Sequence, residues 1–223
     1  MIENVSNRIK RLVSLIKYKK IADIGTDHGY IPIWACLEDT KRVALGCDIA
    51  KAPLENARRN ITNHRLTDKI ELRLGDGISK LKEGEAQTII IAGMGGKTIR
   101  GILESGAEIL KGTSQLILSP QSGVPNVRRC VHGLGYAIKD ELFLEEDGRF
   151  YHILDCRKSS ENEVYSEVEY ELGKHLIAKN NDIYKSYLQD QIEKLEKILK
   201  NMDKMLDRAN EISEQIDLYK LYC

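Results

Sequence analysis

Short apolar runs of the kind that form buried strands alternate with helix-compatible segments through most of the chain, and this alternation constrains the fold more than any other feature. The runs cover residues 19–25, 42–49, 69–77, 87–96 and 114–120. In the fourth run, Thr88–Ala92 is continuously apolar or β-branched, which is typical of a strand covered on both faces. Alternating strands and helices require a mostly parallel sheet with helices on both sides. The sequence therefore predicts a doubly wound α/β domain.

Helical segments and a final hairpin complete this domain. Helices are predicted from Ser6, around Pro32–Leu37, and over Ala52–Asn63, Ile99–Leu110 and Val124–Leu134. The segments Tyr136–Leu144 and Phe150–Cys156 flank a turn of sequence EEDGR, which predicts an antiparallel hairpin. With the five earlier runs, the hairpin gives a seven-stranded sheet.

The tail has a different pattern. Apolar residues recur there in steps of four and three, as in a heptad repeat: Leu188, Ile192, Leu195, Leu199, Met202, Leu206 and Ala209. Such a stripe needs a partner, which could be Glu163–Ile177 or Ile212–Tyr222 of the same tail, or a second chain. We therefore expect an α/β domain over residues 1–158 and a helical coiled-coil tail over 159–223, either as a monomer or as a coiled-coil homodimer.

Composition excludes several classes of protein. The chain has 34 basic and 34 acidic residues, so net charge alone does not indicate nucleic-acid binding. Its five cysteines are scattered without a CxxC pair, which argues against structural zinc and against a disulfide framework. It has neither a signal-type segment nor an apolar run of about 18 residues. We expect a cytoplasmic protein that binds neither metal nor membrane.

Acidic residues and glycines follow the strands, at the edge where doubly wound folds bind ligands. The first loop reads DIGTDHGY, which lacks the GxGxxG spacing and places Asp27 where a phosphate would be repelled. The segment GMGGKT also lacks the spacing of a P-loop. A cationic, phosphate-free nucleoside fits better, and S-adenosylmethionine is such a ligand. Any single aspartate could instead cap the next helix.

Each strand end is expected to contact one part of this cofactor. Asp23 would lie near the methionine end, Asp48 would accept from the ribose hydroxyls, and Asp76 would accept from the adenine amine beside the backbone of Gly77. The predicted cofactor-binding residues are Asp23, Gly25, Asp48, Ile49, Asp76, Gly77, Ala92, Gly93 and Met94.

The segments ADIGTDHGYIP, GDG, IAGMGG and LSPQ, followed by a helical tail, resemble the bacterial tRNA adenine-N1 methyltransferases that act on adenine 22. The resemblance covers about residues 4–157 and, more loosely, the tail. It implies a class I methyltransferase fold, Rossmann-like, with a C-terminal coiled-coil domain, S-adenosylmethionine as donor and tRNA as partner. The positions that match the family's motifs are Asp23, Gly25, Asp48, Asp76, Gly77 and Gly93.

Candidate substrate residues lie just beyond the cofactor loops. Asp27, His28 and Tyr30 are the candidate catalytic residues that would contact the target adenine, although a helix cap followed by packing residues is an equally good interpretation. The loops with Gly95, Gly96, Pro120 and Gln121 are candidates for contact with the base, and a plain tight turn is the alternative for the glycines.

The N-terminal helix carries a basic cluster. Residues 1–20 contain six basic residues and one acidic residue, which indicates either a solvated helix face or a positive edge beside a pocket. We expect RNA phosphates to contact Arg8, Lys10 and Arg11, together with Arg58, Arg59, Arg128 and Arg129. Two rival functions stay open: methylation of another RNA or of a small molecule or protein, and an RNA-binding module that keeps the fold without donor binding.

Overall fold

A computed structural model describes residues 5–161, 163–201 and 207–223. The chain divides into two compact units. The first runs to Leu142 and resumes over Tyr151–Val164, and the second comprises Phe143–Phe150 and Tyr165–Cys223. The second unit thus includes the tip of the predicted hairpin, so the packing does not divide at Lys158, where the sequence predicts a domain boundary.

The described residues form one seven-stranded sheet in the order β3-β2-β1-β4-β5-β7-β6. The strands are β1 Lys20–Ile24, β2 Val43–Asp48, β3 Ile70–Leu74, β4 Thr88–Met94, β5 Gln115–Pro120, β6 Tyr136–Glu146 and β7 Arg149–Lys158. Strands β1 to β5 pair in parallel, and β7 pairs antiparallel to β5. The predicted doubly wound, mostly parallel sheet and its antiparallel hairpin are confirmed. The order reverses between β1 and β4, which makes their carboxyl ends the switch point.

The helices of the first unit follow the prediction with one correction. They are α1 Asn7–Ser14, α2 Tyr30–Glu38, α3 Lys51–Asn63, α4 Gly96–Ser105, α5 Ala107–Leu110 and α6 Val124–Gly133, with a 3₁₀ turn over Gly77–Lys80. The single helix predicted over Ile99–Leu110 was wrong, because it begins at Gly96 and is interrupted at Gly106. A Cβ on Gly106 would lie 2.9 Å from Cγ2 of Ile78, so only glycine allows this close packing.

Helix α1 is fixed against the sheet at its C-terminal end. It buries Leu12 and Val13, and the Ser6 hydroxyl caps its first turn by accepting from the backbone N–H of Ile9, 3.2 Å away. The side-chain amide of Gln115 on β5 donates to the carbonyl of Leu15, at 2.8 Å. Gln115 is fully buried, so this contact sets the position of the helix relative to the strand ends.

A fully buried ion pair joins α6 to β6. Arg128 Nε lies 2.7 Å from Oε1 of Glu141, and the two side chains are 0% and 1% exposed. The prediction that Arg128 contacts RNA phosphates was therefore wrong, because its guanidinium neutralises a buried carboxylate. Nothing in the sequence separates Arg128 from its neighbour Arg129, which is exposed.

The second unit is helical apart from the hairpin tip. It contains α7 Lys174–Lys179 after a π-helical turn over Glu169–Gly173, α8 Asp182–Lys200 and α9 Asp207–Lys220. Phe143 of the hairpin packs in a cluster with Leu172, Leu176, Tyr184 and Leu188.

The apolar stripe predicted for the tail is shared between two helices. Ile192 of α8 packs with Ile212 and Ile216 of α9, and Leu195 and Leu199 contact the same cluster. Met202 and Leu206 of the stripe lie outside the described residues. A segment within Ile212–Tyr222 therefore provides a partner in the same chain. Within the described ranges, no helix combines the length and apolar character needed to span a membrane.

Candidate active site

A cavity of about 420 Å³ opens at the switch point between β1 and β4. Its lining comes from α1, from the ends of β1, β2 and β4, from the loop after β1 with the start of α2, and from the first residue after β5: Arg8, Ile9, Asp23, Gly25, Thr26, Asp27, His28, Tyr30, Ile31, Asp48, Ala92, Gly93, Met94 and Gln121. Backbone hydrogen bonds tie these loops together, from Gly25 N–H to the Cys47 carbonyl at 2.8 Å and from Gln121 N–H to the Met94 carbonyl at 2.9 Å.

A second, smaller cavity of about 200 Å³ lies towards the ends of β2 and β3. Its lining includes Ile24, Gly25, Cys47, Asp48, Ile49, Gly75, Asp76, Gly77, Met94, Thr98 and Ile102. Gly25, Asp48 and Met94 line both cavities, which together form a two-part cleft. Burial raises the pKa of the Cys47 thiol to about 11, so this side chain is a neutral, apolar part of the wall.

Asp23 is the buried acid of the larger cavity. Its side chain is 2% exposed, and its Oδ2 atom accepts no hydrogen bond from the residues that the structure describes. Burial raises the pKa of Asp23 from its usual value of 3.8 to about 7, and the nearby Thr26 and Arg8 oppose that rise. A buried carboxylate oxygen of this kind is suited to receive a cationic donor from a ligand.

Asp48 and Asp76 occur where the sequence places them, at the ends of β2 and β3. Asp48 accepts from the backbone N–H of Ala50 through Oδ1 at 2.9 Å, and from that of Asp27 through Oδ2 at 3.4 Å. It therefore supports the start of α3 as well as lining the cleft. Asp76 is exposed, and its carboxylate makes no capping hydrogen bond to the described residues of the 3₁₀ turn that follows it.

The three candidate catalytic residues stand together at the mouth of the larger cavity. Asp27 adopts a positive φ of 46°, and its exposed carboxylate lies beside His28, whose Nε2 is 3.7 Å from Asp27 Oδ2. The rings of His28 and Tyr30 are stacked, with centroids 5.4 Å apart. The N-cap of α2 is Gly29 without a side-chain hydrogen bond to the described residues, so Asp27 is not the cap of this helix.

Unlike the predicted cofactor-binding residues, the candidate substrate residues do not all line the cleft. Arg8 and Gln121 line the larger cavity, whereas Lys10 and Arg11 are exposed residues of α1. Gly96 is buried, and a Cβ there would collide with the carbonyl of Ser122 and approach the carbonyl of Gly123 at 2.8 Å. Glycine is therefore needed at position 96, where the loop after β4 packs against the loop after β5.

Gly95 and Pro120 belong to the same pair of loops. Gly95 is the N-cap of α4, and Pro120 is the last, buried residue of β5, paired with Met94 of β4. Neither residue is part of the lining of the two cavities described above.

The structure adds residues that sequence analysis did not select. Thr98 and Ile102 of α4 line the smaller cavity, four residues apart on one helix face. The signal for them was available in that spacing, but the predicted helix began only at Ile99. Thr26 lies between two predicted residues; it is buried and lines the larger cavity.

The donor set of the cleft indicates what it can bind. Within residues 5–161, 163–201 and 207–223, no group of three or more His, Cys, Asp or Glu side chains is arranged to hold a metal ion. The carboxylates of four aspartates, Asp23, Asp27, Asp48 and Asp76, line the cleft, and Gly25 lines both of its cavities. A cationic amino-acid nucleoside such as S-adenosylmethionine fits these residues, because the unpartnered Oδ2 of Asp23 matches its ammonium group.

Comparisons with known proteins bear on this cleft. The family model of the tRNA (adenine(22)-N(1))-methyltransferases matches residues 21–221. The tRNA (adenine(22)-N(1))-methyltransferase of Bacillus subtilis is 30% identical, over 95% of this chain and 94% of its own.

Two solved structures have the same fold over nearly the whole chain. M. capricolum TrmK, in complex with S-adenosyl-homocysteine, superposes with a TM-score of 0.87 at 30% identity, over 98% of this chain and 97% of its own. A Streptococcus pneumoniae protein in complex with S-adenosyl-L-methionine superposes with a TM-score of 0.89 at 28% identity, over 98% of this chain and 99% of its own.

Proposed function

The chain belongs to the tRNA (adenine(22)-N(1))-methyltransferase family, and from that membership we propose that it transfers a methyl group from S-adenosylmethionine to N1 of adenine 22 in tRNA. The observation that carries this proposal is the two-part cleft, which Asp23, Asp48 and Asp76 line from the switch point between β1 and β4 to the end of β3.

The cofactor would extend across both cavities. Asp23 would bind the ammonium group of the methionine end, and Asp48 would accept from the ribose hydroxyls. Asp76 and the backbone of Gly77 would recognise the adenine edge, with Ile49 and Ile102 packing against its faces. Gly25 and Met94, which line both cavities, would lie between the two ends, and Ala92 and Gly93 would lie beside the methionine end.

When bound, S-adenosylmethionine would supply a methyl group carried on a sulfonium: the N1 lone pair of adenine would form the new N–C bond as the S–C bond breaks. The sulfur would leave as a neutral thioether, and the positive charge would pass to the adenine ring. N1 has no proton to lose, so the protein needs no strong general base. The residues act chiefly by positioning, which can contribute about 7–11 kcal/mol.

The residues at the cavity mouth would then serve the incoming base. The carboxylate of Asp27 stabilises positive charge on the methylated ring, and the stacked pair His28 and Tyr30 provides an aromatic surface for the base. Gln121, which also lines the cavity, can hydrogen-bond to the base edge.

Phosphate contacts require exposed cations. Lys10 and Arg11 on α1 are exposed, as are Arg58 and Arg59 on α3 and Arg129 on α6, and we assign the RNA-binding surface to them. Adenine N1 is hidden in paired RNA, so this surface would hold the tRNA while the base is unstacked, at a cost of a few kcal/mol. We also propose that α8 and α9 act as a coiled-coil arm, and that the protein works in the cytoplasm, where its tRNA substrate is found.

Methyl transfer to unmodified tRNA, followed by nucleoside mapping, tests the proposal. We expect N1-methyladenosine at position 22, and no transfer to a transcript with guanine at that position. Product at another position, or with a small molecule alone, would favour the rival enzyme class. Calorimetry with S-adenosylmethionine identifies the non-enzyme rival, for which no heat of binding is expected.

A further inference from the structure

Arg8 stands apart from the other cations of α1 by its position. Among the described residues of this helix, it is the basic side chain that lines the larger cavity, whereas Lys10 and Arg11 are exposed. Its Nη2 atom lies 3.5 Å from the point where a Cβ on Gly93 would sit. The guanidinium is therefore inside the cleft, over the backbone at the end of β4, and not on the outer face that would meet RNA phosphates.

A neighbouring aromatic residue holds this guanidinium in place. The Cζ atom of Arg8 lies 4.9 Å from the ring centroid of Tyr151 on β7, which is a cation–π contact. The hydrogen bond from Gln115 to the Leu15 carbonyl fixes the helix that carries Arg8. The Arg8 guanidinium and the C-terminal end of its helix are thus both held by residues of the sheet, so the positive charge is preorganised for binding.

The charges in the cavity match the two charges of an amino acid. Asp23 presents a buried carboxylate oxygen that accepts no hydrogen bond from the described residues, and Arg8 presents a planar guanidinium in the same cavity. An amino-acid end carries one ammonium and one carboxylate. A guanidinium binds a carboxylate through two parallel hydrogen bonds, which an ammonium cannot do.

We propose that Arg8 binds the carboxylate of the methionine end of S-adenosylmethionine, and that Tyr151 is a positioning residue that orients the Arg8 guanidinium for this contact. The inference rests on the proposed function and changes the expected role of Arg8 from an RNA-phosphate ligand to a cofactor ligand. Lys10 and Arg11 keep their proposed role towards RNA.

Decarboxylated S-adenosylmethionine is the discriminating probe, because it keeps the amine and the sulfonium but lacks the carboxylate. Calorimetry on the full chain compares it with S-adenosylmethionine. We expect the wild-type protein to bind S-adenosylmethionine about 10- to 100-fold more tightly than the probe. In Arg8→Gln this preference is lost: affinity for S-adenosylmethionine falls by the same factor, and affinity for the probe is unchanged. Arg8→Lys keeps the charge and should retain part of the preference.

Matched variants separate a positioning role from a structural one. Lys17→Gln, an exposed lysine just beyond the same helix, should change neither affinity by more than about twofold. Tyr151→Leu removes the ring and should weaken S-adenosylmethionine binding while sparing the probe. Tyr151→Phe keeps the ring and should retain the preference for S-adenosylmethionine over the probe. Equal loss for both ligands in Tyr151→Leu would show a merely structural role and would overturn this part of the inference.

The results that overturn the inference differ from those that overturn the function. If Arg8→Gln weakens both ligands equally, or leaves both affinities unchanged, Arg8 does not recognise the carboxylate. If the wild-type protein itself fails to bind S-adenosylmethionine or to methylate tRNA, the proposed function fails. Melting temperatures of all variants identify loss of folding. If Arg8→Gln does not fold, the ratio of affinities for S-adenosylmethionine and the probe is measured in Arg8→Lys instead.

Discussion

The side chain of Met94 lies directly over Gly25, with its thioether sulfur 4.0 Å from the point where a Cβ on Gly25 would sit. Both residues line both cavities of the cleft. Gly25 has a φ of 77°, a conformation that side-chain-bearing residues rarely adopt. The bridge between the cofactor's two proposed binding regions is therefore bare backbone covered by one flexible thioether.

Gly25→Ala is expected to weaken S-adenosylmethionine binding at least tenfold, because the new Cβ occupies the space of the Met94 methyl group and narrows the bridge. The backbone strain adds about 1–2 kcal/mol of destabilisation. Gly84→Ala is the matched control, since Gly84 has a similar φ of 72° and nothing within 4 Å of a Cβ. Calorimetry and thermal melts should show destabilisation in both variants and weakened binding in Gly25→Ala alone.

Asp23→Asn is expected to remove a pH dependence of stability in the cofactor-free protein. The pKa of Asp23 is raised in the folded state from 3.8 to about 7, so the folded protein holds a proton that the unfolded chain releases. Its stabilising contribution is complete below about pH 4 and is lost as the pH rises towards 7. The shift corresponds to up to about 4 kcal/mol, at about 1.4 kcal/mol per pH unit.

Urea unfolding of both proteins at several pH values measures this effect. The free energy of unfolding of wild type, relative to Asp23→Asn, should fall between pH 4 and 7. A constant difference across that range would contradict the burial argument. Binding of S-adenosylmethionine should also tighten for wild type as the pH approaches 7, because its ammonium group favours the charged carboxylate.

Asp27→Asn is expected to lower kcat for tRNA methylation by about 10- to 100-fold, because the neutral amide no longer stabilises positive charge on the methylated ring. Asparagine tolerates the positive φ of 46° at this position, so the backbone should be retained. Affinity for S-adenosylmethionine should stay within about twofold, since the charge acts on the base and not on the cofactor. Asp147→Asn, at a φ of 51° in the hairpin turn, is the control for the backbone. Unchanged kcat would remove Asp27 from the mechanism.

The double variant Lys10→Gln and Arg11→Gln is expected to weaken tRNA binding and to flatten its salt dependence. Each phosphate contact contributes about 0.7–0.9 to the slope of log K against log salt, so the slope should fall by up to about 2. Lys82→Gln with Lys111→Gln, two exposed lysines elsewhere, controls for net charge. Equal slopes in the three proteins would show that α1 does not contact phosphates.

Arg128→Met is expected to destabilise the fold by about 3–5 kcal/mol, because it leaves the buried carboxylate of Glu141 without its ion-pair partner. Arg100→Met breaks an exposed ion pair with Glu104, whose side chains are 41% and 55% exposed, and should cost less than about 1 kcal/mol. Chemical denaturation measures both. The double change Arg128→Met and Glu141→Leu should recover much of the loss, since it removes both buried charges.

The sheet and its acidic edge were predictable from local patterns. Runs such as Thr88–Ala92 identify buried strands, and parallel strands bring their carboxyl ends to one edge, so the sequence alone predicts that Asp23, Asp48 and Asp76 lie along one edge of the sheet. The same reasoning reached most of the cleft, because residues that follow the strands line it.

Long-range packing determined what the sequence could not reveal. Arg8 and Arg11 have the same chemistry and lie on the same helix, and only the tertiary arrangement puts Arg8 in the cavity and leaves Arg11 in solvent. The prediction for Arg128 failed because the sequence does not show that its guanidinium pairs with Glu141, which lies on a different element of the fold. The interruption between α4 and α5 at Gly106 depends on a contact with Ile78, and helix propensity does not predict such a contact.

The hairpin tip that packs within the helical unit has a practical consequence. A protein shortened after Lys158 would keep Phe143 and Phe150 but lose Leu172, Leu176 and Tyr184, the neighbours that keep this aromatic pair dry. Two stacked phenyl rings would then face water at the end of a long ribbon and invite self-association. The tail therefore cannot be removed without exposing apolar surface, and the enzyme should be expressed as the full chain.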